Sequence, residues 1–275
     1  MRSSKLTTVV ALSVSFSAST LGLGVRPAAA TAQVDVIGPS GSEEFGNDVT
    51  VLDNGNFVVV DVSWDSPTNT DVGAVYLYDG DDLSLISTLT GIHDADFVGG
   101  DGITVLPGTS NFVVRSTQFA NGVTPKAGAA TFVNGTVGLD GEVSNYNSIT
   151  GMAPNDQVGT SIVPLEGTGK YVVVSPFWDG ATTNAGAATL AAANGSTVGY
   201  VLATNSLVGG FANDGEGMYV TALSNGNYVV AQPEWHPNNL GAVTWASGAS
   251  ATPVGAIGIG TVSYTHLTLP TIYSV

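Results

Sequence analysis

The chain has 275 residues, of which only 10% are charged, and Asp and Glu outnumber Lys and Arg by 22 to 6, for a net charge of −16. That balance excludes a basic nucleic-acid surface, and the absence of Cys excludes disulfide staples and thiolate metal sites. With 43% hydrophobic residues and 36 Gly, the chain is able to bury a core and is dense in turns, which sets it apart from disordered sequences.

Arg2 and Lys5 open the chain and an uncharged stretch follows over 6–25. Next come the small-residue patterns Ala28-Ala29-Ala30 and Ala30-Thr31-Ala32. Basic, apolar and small regions in this order are those of an export leader. Residues 1–32 are therefore expected to be a signal peptide cleaved after Ala32, and the mature chain to be secreted or held at the cell surface. A membrane anchor is the competing reading, but Ser, Thr and two Gly interrupt the stretch. No later run reaches 18 apolar residues, so no membrane span is expected in the mature chain. Loss of Arg2, Lys5 and Arg26 leaves three basic residues (Arg115, Lys126, Lys170) against 22 acidic ones, a net of −19. Such a surface repels anionic lipid and nucleic acid and favours solubility.

From residue 42 onward the sequence repeats itself. The strings LDNGNFVVV, LPGTSNFVVR, LEGTGKYVVV and LSNGNYVVA begin at Leu52, Leu106, Leu165 and Leu223. Their aromatic anchors Phe57, Phe112, Tyr171 and Tyr228 are spaced by 55, 59 and 57 residues. A second string starts at Gly73, Gly128, Gly186 and Gly241 (GAV or GAA), and a third ends at Gly91, Gly151 and Gly209 (STLTG, NSITG, NSLVG). Three strings in constant order define tandem units over 42–91, 92–151, 152–209 and 210–260.

Each unit reads as four short strands. In the first these are Val49–Leu52, a β-branched run Phe57–Val62 expected to be buried on both faces, Ala74–Tyr78 and Leu83–Leu89. Asn54-Gly55 suits a two-residue hairpin turn, and Asp79-Gly80 turns the third strand. Helical periodicity is absent. Four antiparallel strands per unit at this repeat length predict an all-β chain forming a β-propeller of four-stranded blades, an incomplete one with about four blades of a larger ring. Neither face of a blade is buried until a neighbour stacks on it, which accounts for the tandem arrangement. The N-terminal piece 33–41 (QVDVIGPS and Gly41) aligns with the fourth-strand ends and is expected to close the ring by pairing with the last blade, leaving no open edge. From Thr261 the pattern stops, and TVSYTHLTLPTIYSV resembles an in-frame translation of a transposase-end sequencing adapter. Residues 261–275 are read as a non-native tail, and a larger parent polypeptide is expected.

The first unit, with Phe45-Gly46 and Gly73-Ala74-Val75-Tyr76, resembles an FG-GAP repeat, the blade of integrin α-subunit propellers. The later units are more similar still to a bacterial extracellular repeat with the pattern NGNYVV-SP-WD, AGAVTW and NSLVG, found in haemagglutinin-like surface proteins. The resemblance covers 33–260. It implies the propeller fold and an exported or surface location, and one fold hosts many functions; the leading expectation for function is an exported non-enzymatic module for adhesion, or for binding protein or glycan, at the bacterial cell surface. FG-GAP blades often carry a calcium loop between their first two strands. Here that link is LDNGN, LPGTSN, LEGTGK or LSNGN, which lacks the oxygen ligands of a calcium cage, so no metal or cofactor is expected. Asp94, Asp96 and Asp101 are the nearest acidic group, and their spacing reads as a solvated acidic loop.

One aromatic lies seven residues after each anchor: Trp64, Phe119, Trp178 and Trp235, followed by Asp65, Ala120, Asp179 and His236. These positions open the loops between second and third strands. A rim of Trp64, Asp65, Phe119, Trp178, Asp179 and Trp235 could stack sugars and hydrogen-bond them. Internal packing of each loop is the competing reading, and recurrence in every unit favours it. A catalytic assignment finds no support in the sequence: a G-x-S-x-G elbow is missing, and His93 and His236 lie in different units. Two alternatives to a binding module remain. One is a propeller hydrolase or lyase acting on extracellular polysaccharide, with Asp65 and Asp179 among its acids, and the other is a purely structural stalk.

Overall fold

β-Branched and aromatic runs broken by Gly, Asn and Asp leave the backbone little choice but short strands and tight turns. A computed structural model of the chain describes residues 33–236, 240–250 and 253–257. Among the described residues there is no helix, and hence none long and apolar enough to cross a membrane. The expected leader (1–32) and tail (261–275) lie outside the described residues.

The chain divides into Met1–Asp35 and Val36–Val275. In the first part the Gln33 amide donates to Asp35 at 2.7 Å. The second holds every strand. Unit one contains β1 (Asp48–Val51), β2 (Phe57–Asp61), β3 (Ala74–Tyr78) and β4 (Leu85–Thr90). Unit two contains β5 (Ile103–Val105), β6 (Phe112–Ser116), β7 (Ala129–Val133), β8 (Gly141–Glu142) and β9 (Ser148–Thr150). Unit three follows with β10 (Ser161–Pro164), β11 (Tyr171–Ser175), β12 (Ala187–Ala191), β13 (Gly199–Tyr200) and β14 (Ser206–Val208). Unit four has β15 (Tyr219–Ala222), β16 (Tyr228–Gln232), β17 (Ala242–Ala246) and β18 (Gly255–Ala256). The result is four sheets, one per unit and none closed, as in an incomplete β-propeller-like repeat fold.

Three features differ from the expected meander. First, the sheets of units one to three have five strands, because β8 pairs in parallel with β4, β13 with β9 and β18 with β14. Each later unit thus sends its third-to-fourth connection across to the preceding sheet as a strap. Unit one has a short link there, Asp79–Ser84, and no strap. Second, the sheet of unit four has three strands among the described residues, β15-β16-β17. Third, the β1–β2 connection is longer than a two-residue turn. Leu52 N–H donates to Asn56 at 2.8 Å and Gly55 N–H to Leu52 at 3.0 Å, with Gly55 alone in that loop at positive φ (91°). This is a type I turn followed by a left-handed residue, the three-residue hairpin. The 33–41 segment, expected as a strand, contains none here.

The sheets stack face to face. Val58, Val60, Val75 and Leu77 of unit one pack on Phe112, Val114, Ala129 and Val133 of unit two. Equivalent cores join units two and three around Tyr171 and Trp178, and units three and four around Tyr228 and Trp235. Strands β3, β11 and β12 are buried along their whole length because both their faces are covered. Each buried Val- or Leu-sized side chain stabilises by about 1.5–3 kcal/mol. Burial also pushes the Tyr228 phenol up to about 12. The remaining face of unit one, with Val59, Ala74, Tyr76 and Tyr78, is covered by Val36 and Phe45 of the chain's own N-terminal segment. Phe45 stands 5.5 Å from Tyr76 and 6.5 Å from Tyr78, centroid to centroid.

The third repeated string owes its residues to the strap. Asn147 Oδ1 accepts from Ser144 N–H at 2.9 Å while its amide donates to Glu142 at 2.9 Å, closing the return turn. Asn205 does the same with Leu202 and Tyr200. The following Ser148 and Ser206 hydroxyls meet Thr131 and Thr189 of the neighbouring strand at 2.7 Å, buried in both units.

Candidate functional site

The loops between second and third strands open on the aromatic residue and close on the Gly of the second string. Gly73, Gly128, Gly186 and Gly241 N–H donate to the carbonyls of Trp64, Phe119, Trp178 and Trp235 at 3.2, 3.0, 3.1 and 3.3 Å. Gly128 sits at φ 74°, and a Cβ there would lie 2.2 Å from Val158 N. Glycine is required on both counts.

A buried carboxylate fastens each of the later loops. Asp156 Oδ2 accepts from Met152 N–H at 2.8 Å and Ala153 N–H at 2.9 Å, and Oδ1 accepts from Asp179 N–H at 2.8 Å. Asp96 takes the same bonds from Ile92, His93 and Ala120. Asp214 takes them from Gly210, Phe211 and His236. All three are fully buried, so Asp96 is not part of a solvated acidic loop. Its burial is tolerated because three N–H donors replace water. Burial raises the Asp156 pKa above the usual carboxyl range despite those bonds. Sequence reasoning missed this clamp, though a signal exists: each Asp follows the Gly ending the third string by five residues (Gly91, Gly151, Gly209). That Gly lets the Asp approach, since a Cβ on Gly151 would lie 2.6 Å from the Cβ of Asp156.

The aromatic rings of the expected rim divide into two groups. Phe119, Trp178 and Trp235 are 1%, 5% and 7% exposed. Trp178 Nε1 donates to Val201 at 3.2 Å and Trp235 Nε1 to Ile257 at 3.1 Å, each acceptor lying just past the strap of the same unit. These rings are packed, and they present no face for a sugar. Asp179 Oδ1 accepts from Asn184 N–H at 2.7 Å and Asp65 Oδ1 from Asp71 N–H at 2.8 Å, so both acids close their own loops.

Trp64 is the exception, because unit one has no strap to cover it. It is half-buried, and its Nε1 donates to Ser40 at 3.0 Å. Asp65 N–H donates to the Gly41 carbonyl at 2.9 Å, so the N-terminal segment stands in for the missing clamp carboxylate. Beside Trp64 lies a cavity of about 380 Å³ lined by Ser66, Asn69, Thr90, Ile92 and the strap residue Glu142, among others. An indole wall with hydroxyl, amide and carboxylate groups around it offers stacking and hydrogen bonding to one small polar ligand. The cavity places Trp64 near groups of its own unit and of unit two. Phe119, Trp178, Asp179 and Trp235 do not line it. His93 and His236 sit by Asp96 and Asp214, at 3.4 and 2.9 Å, as part of separate clamps. Among the described residues no group of three or more His, Asp or Glu side chains is placed to hold a metal ion.

The fold and the clamps thus define a tandem-repeat all-β protein whose sheets stack on one another and whose units two to four each carry the same buried carboxylate. The chain belongs to the DUF5650 family, a repeat of unknown function, whose pattern matches residues 51–99, 108–160, 166–218 and 222–262. Each of the first three matches begins at or just after the end of the first strand and runs through a clamp Asp (96, 156 or 214), so the family pattern includes the clamp. No curated protein matches the chain.

Proposed function

We propose that the chain is an exported, non-enzymatic repeat module that binds glycan or protein at the bacterial cell surface, built as FG-GAP-like blades. The observation that carries this reading is the use made of the repeated polar and aromatic residues. The clamp carboxylates, Asp65, Asp179, Trp178 and Trp235 are all engaged in internal bonds, and Trp64, the half-open one of the four loop-opening aromatics, borders a polar cavity. A glycan array and a polysaccharide-turnover assay on the chain test it. Binding without product release, lost in Trp64→Ala, is the expected result. Release of oligosaccharide product would favour a hydrolase or lyase instead, and retained binding in Trp64→Ala would remove the cavity from the account. A purely structural stalk is the second reading, favoured by the burial of Phe119, Trp178 and Trp235. It predicts no ligand in any format.

A further inference from the structure

In the sheets of units one to three the third strand is never an edge. β4, β9 and β14 each pair with it, and a strap then covers them. In unit four, β17 is the last strand of its sheet among the described residues. Its sequence, Ala-Val-Thr-Trp-Ala, carries none of the charges or prolines by which edges resist pairing. Two of its side chains, Val243 and Trp245, are 66% and 55% exposed.

We propose that the edge of β17, unpaired among the described residues, is an acceptor site for one extended strand of the pattern Asn-Ser-(Ile or Leu)-(Thr or Val)-Gly, donated by another repeat of the same kind. The register follows from the other sheets. Thr131 lies opposite Ser148, Ala130 opposite Ile149 and Ala129 opposite Thr150. Thr189, Ala188 and Ala187 lie opposite Ser206, Leu207 and Val208 in the same way. β17 repeats this ladder position for position, so Thr244 takes the donor Ser, Val243 the Ile or Leu, and Ala242 the Thr or Val. Thr244 would then form the hydroxyl pair that Thr131 and Thr189 make at 2.7 Å. Backbone pairing gives such an edge its affinity, and alternate side chains give it selectivity. Carbohydrate binding beside Trp64 plays no part in this inference.

Two arrangements of the full chain test it. Strap and fourth strand begin seven residues apart in units two and three (Gly141 and Ser148, Gly199 and Ser206), which from Gly255 points to position 262. The first variant therefore carries Thr261→Asn, Val262→Ser, Ser263→Leu, Tyr264→Val and Thr265→Gly. Its Tm is expected to rise by about 4–8 °C as an apolar pair is buried on the sheet. Amide exchange over 242–246 is expected to slow at least about tenfold, and adding Thr244→Val is expected to remove part of the gain. In the second, a peptide of residues 203–210 (ATNSLVGG) is added to the unaltered chain. Slower exchange confined to 242–246, absent with a scrambled peptide, is expected. Unchanged Tm and exchange in the first variant overturn the proposal, as does exchange at 242–246 of the unaltered chain already as slow as at Ala187–Ala191. If the first variant does not fold, the peptide decides: no protection at about millimolar peptide overturns the site.

Discussion

Replacing Asp156 by Asn tests the buried clamp with almost no change of shape. The carboxylate accepts three backbone N–H bonds at 2.8–2.9 Å, two on one oxygen and one on the other. The amide supplies one acceptor and two donors, so in either orientation its NH₂ faces at least one of those N–H groups. One buried donor left without a partner costs about 1–3 kcal/mol. Removing a desolvated charge acts in the opposite direction, as the raised pKa of Asp156 implies. The net loss is expected to be about 1–2 kcal/mol, which lowers Tm by about 2–8 °C in a chain of this size. Urea and thermal unfolding measure it. The sign of the pH dependence is fixed by the same shift. A carboxyl whose folded pKa lies above its unfolded value holds its proton more tightly when folded. Its protonation therefore adds stability as pH falls through the raised value, and that contribution is lost above it. The variant lacks this titration, so its deficit against wild type is expected to widen from pH 7 down to the ordinary carboxyl range. A deficit below about 0.5 kcal/mol, the span of neutral surface changes, refutes the clamp, and one that closes in acid refutes the raised pKa.

Three further outcomes separate internal packing from surface roles. Gly128→Ala places a Cβ 2.2 Å from Val158 N at φ 74°, and a loss of at least about 3 kcal/mol is expected by chemical denaturation. Trp178→Phe removes the bond to the buried Val201 carbonyl and is expected to cost about 2–3 kcal/mol. Trp64→Phe, at a half-open site, is expected to cost less than about 1 kcal/mol, and equal costs in the pair would contradict the difference in burial. Gln232 is fully buried, and among the described residues neither its amide nitrogen nor its oxygen has a hydrogen-bond partner. Gln232→Leu is accordingly expected to stabilise by about 1 kcal/mol, read as a rise in urea midpoint at constant slope.

The strands were legible because their signal is dense. Runs such as Phe57–Val60 and Tyr171–Val174 are β-branched without polar alternation, and the structure buries them on both faces. The straps were not legible, because Gly141–Glu142 and Gly199–Tyr200 share little beyond a glycine. A two-residue parallel pairing depends on where the neighbouring sheet stands, not on local preference. The Asp clamp was legible in spacing but hidden by chemistry. An acid in a Gly-rich loop is ordinarily solvated, and only the three converging N–H groups, which come from two separate loops, make its burial stable. As for the candidate site, the sequence identified all four aromatics as equivalent. Burial differs among them because unit one has a six-residue link where the others carry a strap, a difference of connection length and not of the aromatic itself.

That contrast decides where specificity can reside in such a chain. A residue present in every unit is explained by what every unit must do, namely turn, clamp and stack. Gly128 and its counterparts, the buried acids at 96, 156 and 214, and the covered rings at 119, 178 and 235 all belong to this group. A ligand site copied into each unit would need those same side chains to face solvent, and they face the neighbouring sheets or the straps. Recognition must then draw on positions where the units disagree. Trp64 with Glu142, and the β17 edge that no described strand pairs, are such positions. The first arises from a connection too short to form a strap, and the second is the edge of the last sheet among the described residues. Interaction is therefore expected at such differing positions and not at the residues common to every unit.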